Sequence, residues 1–143
     1  MSDQHFIRIT DTVSVAPQIA PEDVAAAAAQ GFRCIVNNRP DGESFDQPPG
    51  TAIAAAAEAA GLAYVAIPID HTGFNLDQVD AMAGALAKGP VLAFCRSGTR
   101  SCNLWALAAA KQGEDPAAII AAAGAGGYNV AGLLPLLKQL AAG

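Results

Sequence analysis

The 143-residue sequence predicts an α/β fold: a single domain over 1–143 with a mainly parallel central sheet flanked by helices. Two observations carry this reading. Short apolar segments of strand length alternate with helical stretches of ten or more residues, the pattern of strands joined by crossover helices that cover both faces of a sheet. No linker or internal repeat interrupts the pattern, and the length suits one hydrophobic core without disulfide or metal staples.

The elements follow in order. Phe6, Ile7 and Ile9, then Val13 and Val15, form an alternating apolar opening segment. Pro21-Glu22-Asp23 starts an alanine-rich helix, with proline in its first turn and acids against the positive end of its dipole, and Gly31 closes it. Phe32 to Asn37 reads as a buried strand, and 38–50, with three prolines and two glycines, as a loop. Thr51 is expected to cap a second helix that stops at Gly61. Leu62 to Ile67 is the next strand, ended by Pro68, with Asp70-His71-Thr72-Gly73 as its loop. Asn75 and Gln78 make a capping box for a third helix running to Lys88. Gly89-Pro90 breaks that helix, Val91 to Phe94 is a third buried strand, and Ser101 to Gln112 is a helix ended by Gly113. Asp115-Pro116 opens a further helix, Gly126-Gly127 is a turn, and Pro135 starts or kinks a last apolar segment.

Composition narrows the function. Eight basic and thirteen acidic residues give a net charge of -5, with no basic stripe to bind nucleic acid. The 52% hydrophobic content comes largely from interrupted alanine blocks, with no apolar run of about 18 residues to span a membrane. The opening residues Met1 to His5 lack the basic and apolar regions of a secretory signal, so a cytoplasmic location is expected. Cys34, Cys95 and Cys102 are odd in number and widely spaced, and only His5 and His71 could join them in a metal site, so neither zinc nor a disulfide framework is expected. Cys34, among Phe32, Ile35 and Val36, reads as a small core hydrophobe. No cofactor is called for. The alanine-rich final helices offer a candidate homodimer contact.

In an acidic chain an anion can be held only locally, and two arginines fall within the six residues Cys95-Arg96-Ser97-Gly98-Thr99-Arg100. A strand that ends at a cysteine, turns through a few residues and enters a helix directs several backbone N–H groups and a positive helix end into one space, which makes an anion cradle. Arg96, Ser97, Gly98 and Thr99 form its walls. Gly98 can take a positive φ and lets an oxyanion approach the backbone, and Arg100 adds a planar fork of donors. The same field favours the thiolate of Cys95, the nucleophilic form.

These residues resemble a known loop. Cys95 to Ser101 is similar to the catalytic loop shared, with variations, by protein tyrosine and dual-specificity phosphatases and by rhodanese-type sulfurtransferases. The likeness covers most of the chain: an opening segment ending near Gln18, a helix closed by Gly31-Phe32, then "IVNNRPDGE", "AGLAYVAIPID" and "VLAFCRSGTRS". In that order they resemble the phosphatase-like domain of unknown function found alone or beside β-lactamase-hydrolase-like and sulfide-oxidising modules. The resemblance implies a dual-specificity-phosphatase-like fold and a small anionic substrate.

Two chemistries follow from it. In the phosphatase reading Cys95 attacks phosphorus through a phosphocysteine intermediate, the loop N–H groups and Arg100 stabilise the equatorial oxygens, and Ser101 assists the departing thiolate. Asp70, 25 residues before Cys95, is then the expected general acid, with His71 and Asp41 as alternatives. The phosphatase loops separate Cys and Arg by five residues, whereas four lie between Cys95 and Arg100, the spacing that goes with sulfur transfer. In the sulfurtransferase reading Cys95 carries a persulfide from a sulfane-sulfur donor and Asp70 has no role. A non-catalytic anion-binding module is the third reading. Arg39 either contacts substrate or pairs with Asp41 or Glu43, the pairing being favoured. Cys102 is a resolving thiol or, more commonly for such a position, a core residue.

Overall fold

The computed structural model describes residues 6–142; His5 and the rest of the opening five residues lie outside them. Five strands form one sheet: β1 (Ile7–Thr10), β2 (Val13–Ala16), β3 (Cys34–Asn37), β4 (Ala63–Ala66) and β5 (Val91–Phe94). Their order is β1-β2-β5-β3-β4, and every pairing is parallel except β1 with β2. The opening segment is thus a hairpin whose second strand joins the parallel sheet.

The helices are α1 (Pro21–Ala29), α2 (Gly50–Ala59), α3 (Leu76–Leu86), α4 (Thr99–Lys111), α5 (Pro116–Ala125) and α6 (Leu134–Ala142), the last preceded by a 3-10 turn at Ala131–Leu133. Strand side chains alternate between the faces, and the two sets bury separate cores. Val91 and Ala93 join Val15, Val36, Leu104, Leu107, Met82 and Ile119 on the face covered by α3 to α6. Leu92 and Phe94 join Ile35, Val24, Ile53 and Ala57 under α1 and α2. Both strand faces being buried explains why β5 reads as an unbroken apolar run. The capping box expected at Asn75 and Gln78 forms, and Pro135 lies in the first turn of α6. Among the described residues no helix is long and apolar enough to cross a membrane.

Two helix starts differ from expectation. α2 begins at Gly50 instead of being capped by Thr51: Asp41 Oδ1 accepts the Gly50 N–H at 2.8 Å, so the cap comes from a loop residue nine positions upstream. α4 begins at Thr99, two residues before Ser101. Its N-cap is Gly98 at φ +91, a left-handed backbone that turns the chain sharply enough to start the helix early.

Candidate active site

β5 lies between β2 and β3 at the centre of the sheet, and Cys95 follows its last residue. Strand continuity fixes the cysteine: its N–H donates to the Ala16 carbonyl at 3.3 Å, and the Asn38 N–H donates to the Phe94 carbonyl at 2.8 Å. The chain then turns through Arg96, Ser97 and Gly98 into α4, placing the N-terminus of a 13-residue helix against the thiol. The Gly98 N–H donates to Cys95 Sγ at 3.1 Å. A donor aimed at sulfur stabilises negative charge there, and the helix end adds to it. Cys95 has no exposed surface.

The loop's other members divide by role. Ser97 Oγ and Thr99 Oγ1 bond each other at 3.0 Å on the exposed side. The Arg96 carbonyl accepts the Gln18 N–H at 3.3 Å, while its side chain is exposed. Ser101, fully buried, donates its hydroxyl to Asn38 Oδ1 at 2.8 Å, and Asn38 donates through Nδ2 to the Ile67 carbonyl at 2.9 Å. Asn38 was not singled out in the sequence; a polar residue following a buried strand was the available signal.

Arg100 projects from the first turn of α4 and is held from two sides. Its Nη1 donates to Glu43 Oε2 and to the Ile69 carbonyl, both at 2.7 Å, and its Nη2 donates to Glu43 Oε1 at 2.9 Å. Arg39 reaches the same carboxylate through Nε at 3.0 Å and bonds Gln18 Oε1 through Nη1 at 3.1 Å. Glu43 therefore bridges two guanidinium groups. Hydrogen bonding from Arg100, then from Arg39, together with their charges, outweighs its partial burial and holds its carboxyl down at about 2. The favoured pairing of Arg39 is met by Glu43; Asp41 instead caps α2.

A shallow cavity of about 300 Å³ is lined by Glu43, Asp70, His71 and Arg100. The structure thus brings Asp70 and His71 to the rim beside Arg100. Asp70 is exposed, and its Oδ1 accepts both the Thr72 N–H at 2.9 Å and the Thr72 hydroxyl at 2.5 Å. Those bonds, led by the hydroxyl, lower its pKa and favour the carboxylate. That is the geometry of a turn-forming aspartate. A proton donor needs the opposite shift.

The remaining cysteines are core residues. Burial pushes the Cys102 thiol up to about 12, with the charge of Cys95 adding to the shift, and burial likewise raises Cys34. Cys95, Cys102 and Cys34 are all free thiols. Among the described residues no group of three His, Cys, Asp or Glu side chains is placed to hold a metal.

Comparison with known proteins adds four findings. Residues 5–112 match the family described as "Beta-lactamase hydrolase-like protein, phosphatase-like domain". The chain is 40% identical over 112 residues to the beta-lactamase hydrolase-like protein of Agrobacterium fabrum; the match covers 76% of this chain but only 26% of that relative. Among solved structures it resembles a candidate phosphatase from Neisseria meningitidis, with TM-score 0.80, 28% identity, and coverage of 96% of this chain and 99% of that one. PTPMT1 shares the fold at TM-score 0.71 and 18% identity over 96% of this chain and 94% of its own.

Proposed function

Because the chain belongs to the phosphatase-like domain family of beta-lactamase hydrolase-like proteins, we propose that it is a cysteine-dependent hydrolase of phosphate esters, with Cys95 as nucleophile. The observation that carries the proposal is the Gly98 N–H directed at Cys95 Sγ from the start of α4, next to the guanidinium of Arg100. Donors placed to stabilise a thiolate are also placed to take the oxygens of a phosphoryl group bound against that sulfur.

In this reading the Cys95 thiolate attacks phosphorus, forming an S–P bond as the P–O bond to the leaving group breaks. The departing oxygen takes a proton from the rim, where Asp70 and His71 stand. Water then gives a proton back to the rim group and attacks phosphorus, the S–P bond breaks, and Cys95 leaves as thiolate while phosphate is released. The Ser101 hydroxyl, committed to Asn38, acts by holding the loop against the sheet. Since Cys95 has no exposed surface, an incoming anion reaches it after the side chains over the loop shift.

Two observations favour a second reading, sulfane-sulfur transfer through a persulfide on Cys95. Only four residues separate Cys95 from Arg100, and Asp70 is bound down by Thr72, whereas persulfide chemistry needs no such acid. The deciding test is a paired assay of wild type and Cys95→Ser: release of phosphate from an aryl phosphate, and transfer of sulfur from thiosulfate to cyanide. Phosphate release that falls at least about 10³-fold in Cys95→Ser, with sulfur transfer at background, supports the proposal. Cysteine-dependent sulfur transfer without phosphate release overturns it.

A further inference from the structure

The loop motif accounts for the residues from Cys95 to Ser101, but one contact reaches it from beyond residue 112, where the family match ends. Tyr128 donates its hydroxyl to the Ser97 carbonyl at 2.9 Å. In a trans peptide the C=O of one residue and the N–H of the next point in opposite directions from one rigid plane. The Ser97 carbonyl and the Gly98 N–H belong to the same peptide, and among the described residues no peptide is cis. One side of that plane is therefore bonded to Tyr128 and the other to Cys95 Sγ.

We propose that Tyr128 is a positioning residue for the anion cradle: its hydroxyl fixes the 97–98 peptide so that the Gly98 N–H faces the nucleophilic sulfur. The inference rests on the reading of Cys95 as nucleophile and adds a residue to that site.

Two further features support it. The phenol lies against Gly98 so closely that a Cβ there would stand 2.2 Å from Tyr128 Oη and 3.0 Å from Cζ, so glycine admits the ring as well as the φ of +91. The position of Tyr128 is itself fixed. Gly127 takes φ +94, its N–H bonds the Gly124 carbonyl at 3.0 Å, and the Tyr128 N–H bonds the Ala123 carbonyl at 2.9 Å. This is a Schellman cap on α5, and it delivers the next side chain in a defined direction. The preceding Gly126 packs against β1, where an added Cβ would meet Ile9 Cδ1 at 2.7 Å. Burial, followed by the charges of Cys102 and Cys95, raises the pKa of the phenol and keeps it a proton donor. Without the hydroxyl the 97–98 peptide loses the bond that opposes its rotation.

The test is Tyr128→Phe, which keeps the ring, read by the amide resonance of Gly98 in a ¹H–¹⁵N spectrum of the full chain and by titration with inorganic phosphate. Removal of one positioning bond should move the free-protein Gly98 amide in the same direction as Cys95→Ala, which removes the sulfur acceptor, and should weaken phosphate binding about 5- to 10-fold. The melting temperature should change little. A Gly98 amide that stays in place with phosphate affinity within about twofold of wild type overturns the inference. If wild type releases no phosphate from an aryl ester yet Tyr128→Phe moves the Gly98 amide as Cys95→Ala does, the positioning role stands and the hydrolase reading falls.

Discussion

On the loop side of the site, Cys95 continues a fully buried strand, accepts the Gly98 N–H, and is followed by a helix whose residues 101, 102 and 104–110 are all buried. On the rim side, Asp70, His71 and Thr72 are exposed, and Asp70 bonds only within its own turn. Cys95 and the helix that follows it are thus built into the core, where packing on both sheet faces leaves little freedom. The Asp70–His71 side is a surface turn held by bonds within the turn itself. In the hydrolase reading proposed above, anion binding rests on the buried side and leaving-group chemistry on the exposed one.

The largest effect should come from the loop side. Arg100→Lys replaces a planar fork, which already spans Glu43 and the Ile69 carbonyl, with a single ammonium that cannot hold both and also face an anion. kcat/KM for an aryl phosphate should fall about 10²- to 10³-fold with the fold intact by circular dichroism. A loss below about fivefold would show that the backbone N–H groups suffice and that the loop side does not depend on its guanidinium.

The rim should matter less, and in a way that depends on the substrate. A general acid helps most when the leaving oxygen is a poor leaving group. Asp70→Asn should therefore lower kcat about 10-fold or more for an alkyl phosphate and only slightly for p-nitrophenyl phosphate. Equal losses on both would assign Asp70 to holding its turn. Loss of the alkyl-selective effect in His71→Ala instead would move the proton donor one residue along.

This division also separates what could be read in the sequence from what could not. β5 was legible to the residue because burial on both faces leaves an unbroken apolar run, and the Cys-Arg-Ser-Gly-Thr-Arg segment follows it directly. The parallel sheet followed from alternating strands and helices. The antiparallel pairing of β1 with β2 did not, because strand direction within a sheet is decided by partners distant in sequence. The cap of α2 was misplaced for a related reason: Asp41 reaches Gly50 across an irregular loop. Tyr128 lies 31 residues beyond the carbonyl it holds, in a turn marked only by two glycines, and nothing in its local pattern announces that contact.

The smallest predicted effect concerns Glu43, which joins the two sides by tying the loop after β3 to Arg100. Its folded carboxyl titrates at about 2, well below the ordinary 4.5. A carboxylate depressed on folding adds stability above its unfolded pKa and loses it as pH falls toward the folded one. The contribution should therefore be complete near neutrality and fade between about pH 4.5 and pH 2. The Glu43 side chain is partly exposed and water screens its pairs in part, so the expected change in melting temperature is a few degrees at most. The clean measurement is a difference between wild type and Glu43→Gln across that range, since other acids titrate in both. Curves that converge as pH falls confirm that the bridge stabilises the folded state. Parallel curves would mean that the two arginines pair with Glu43 at no net gain, leaving orientation of Arg100 as the carboxylate's remaining role.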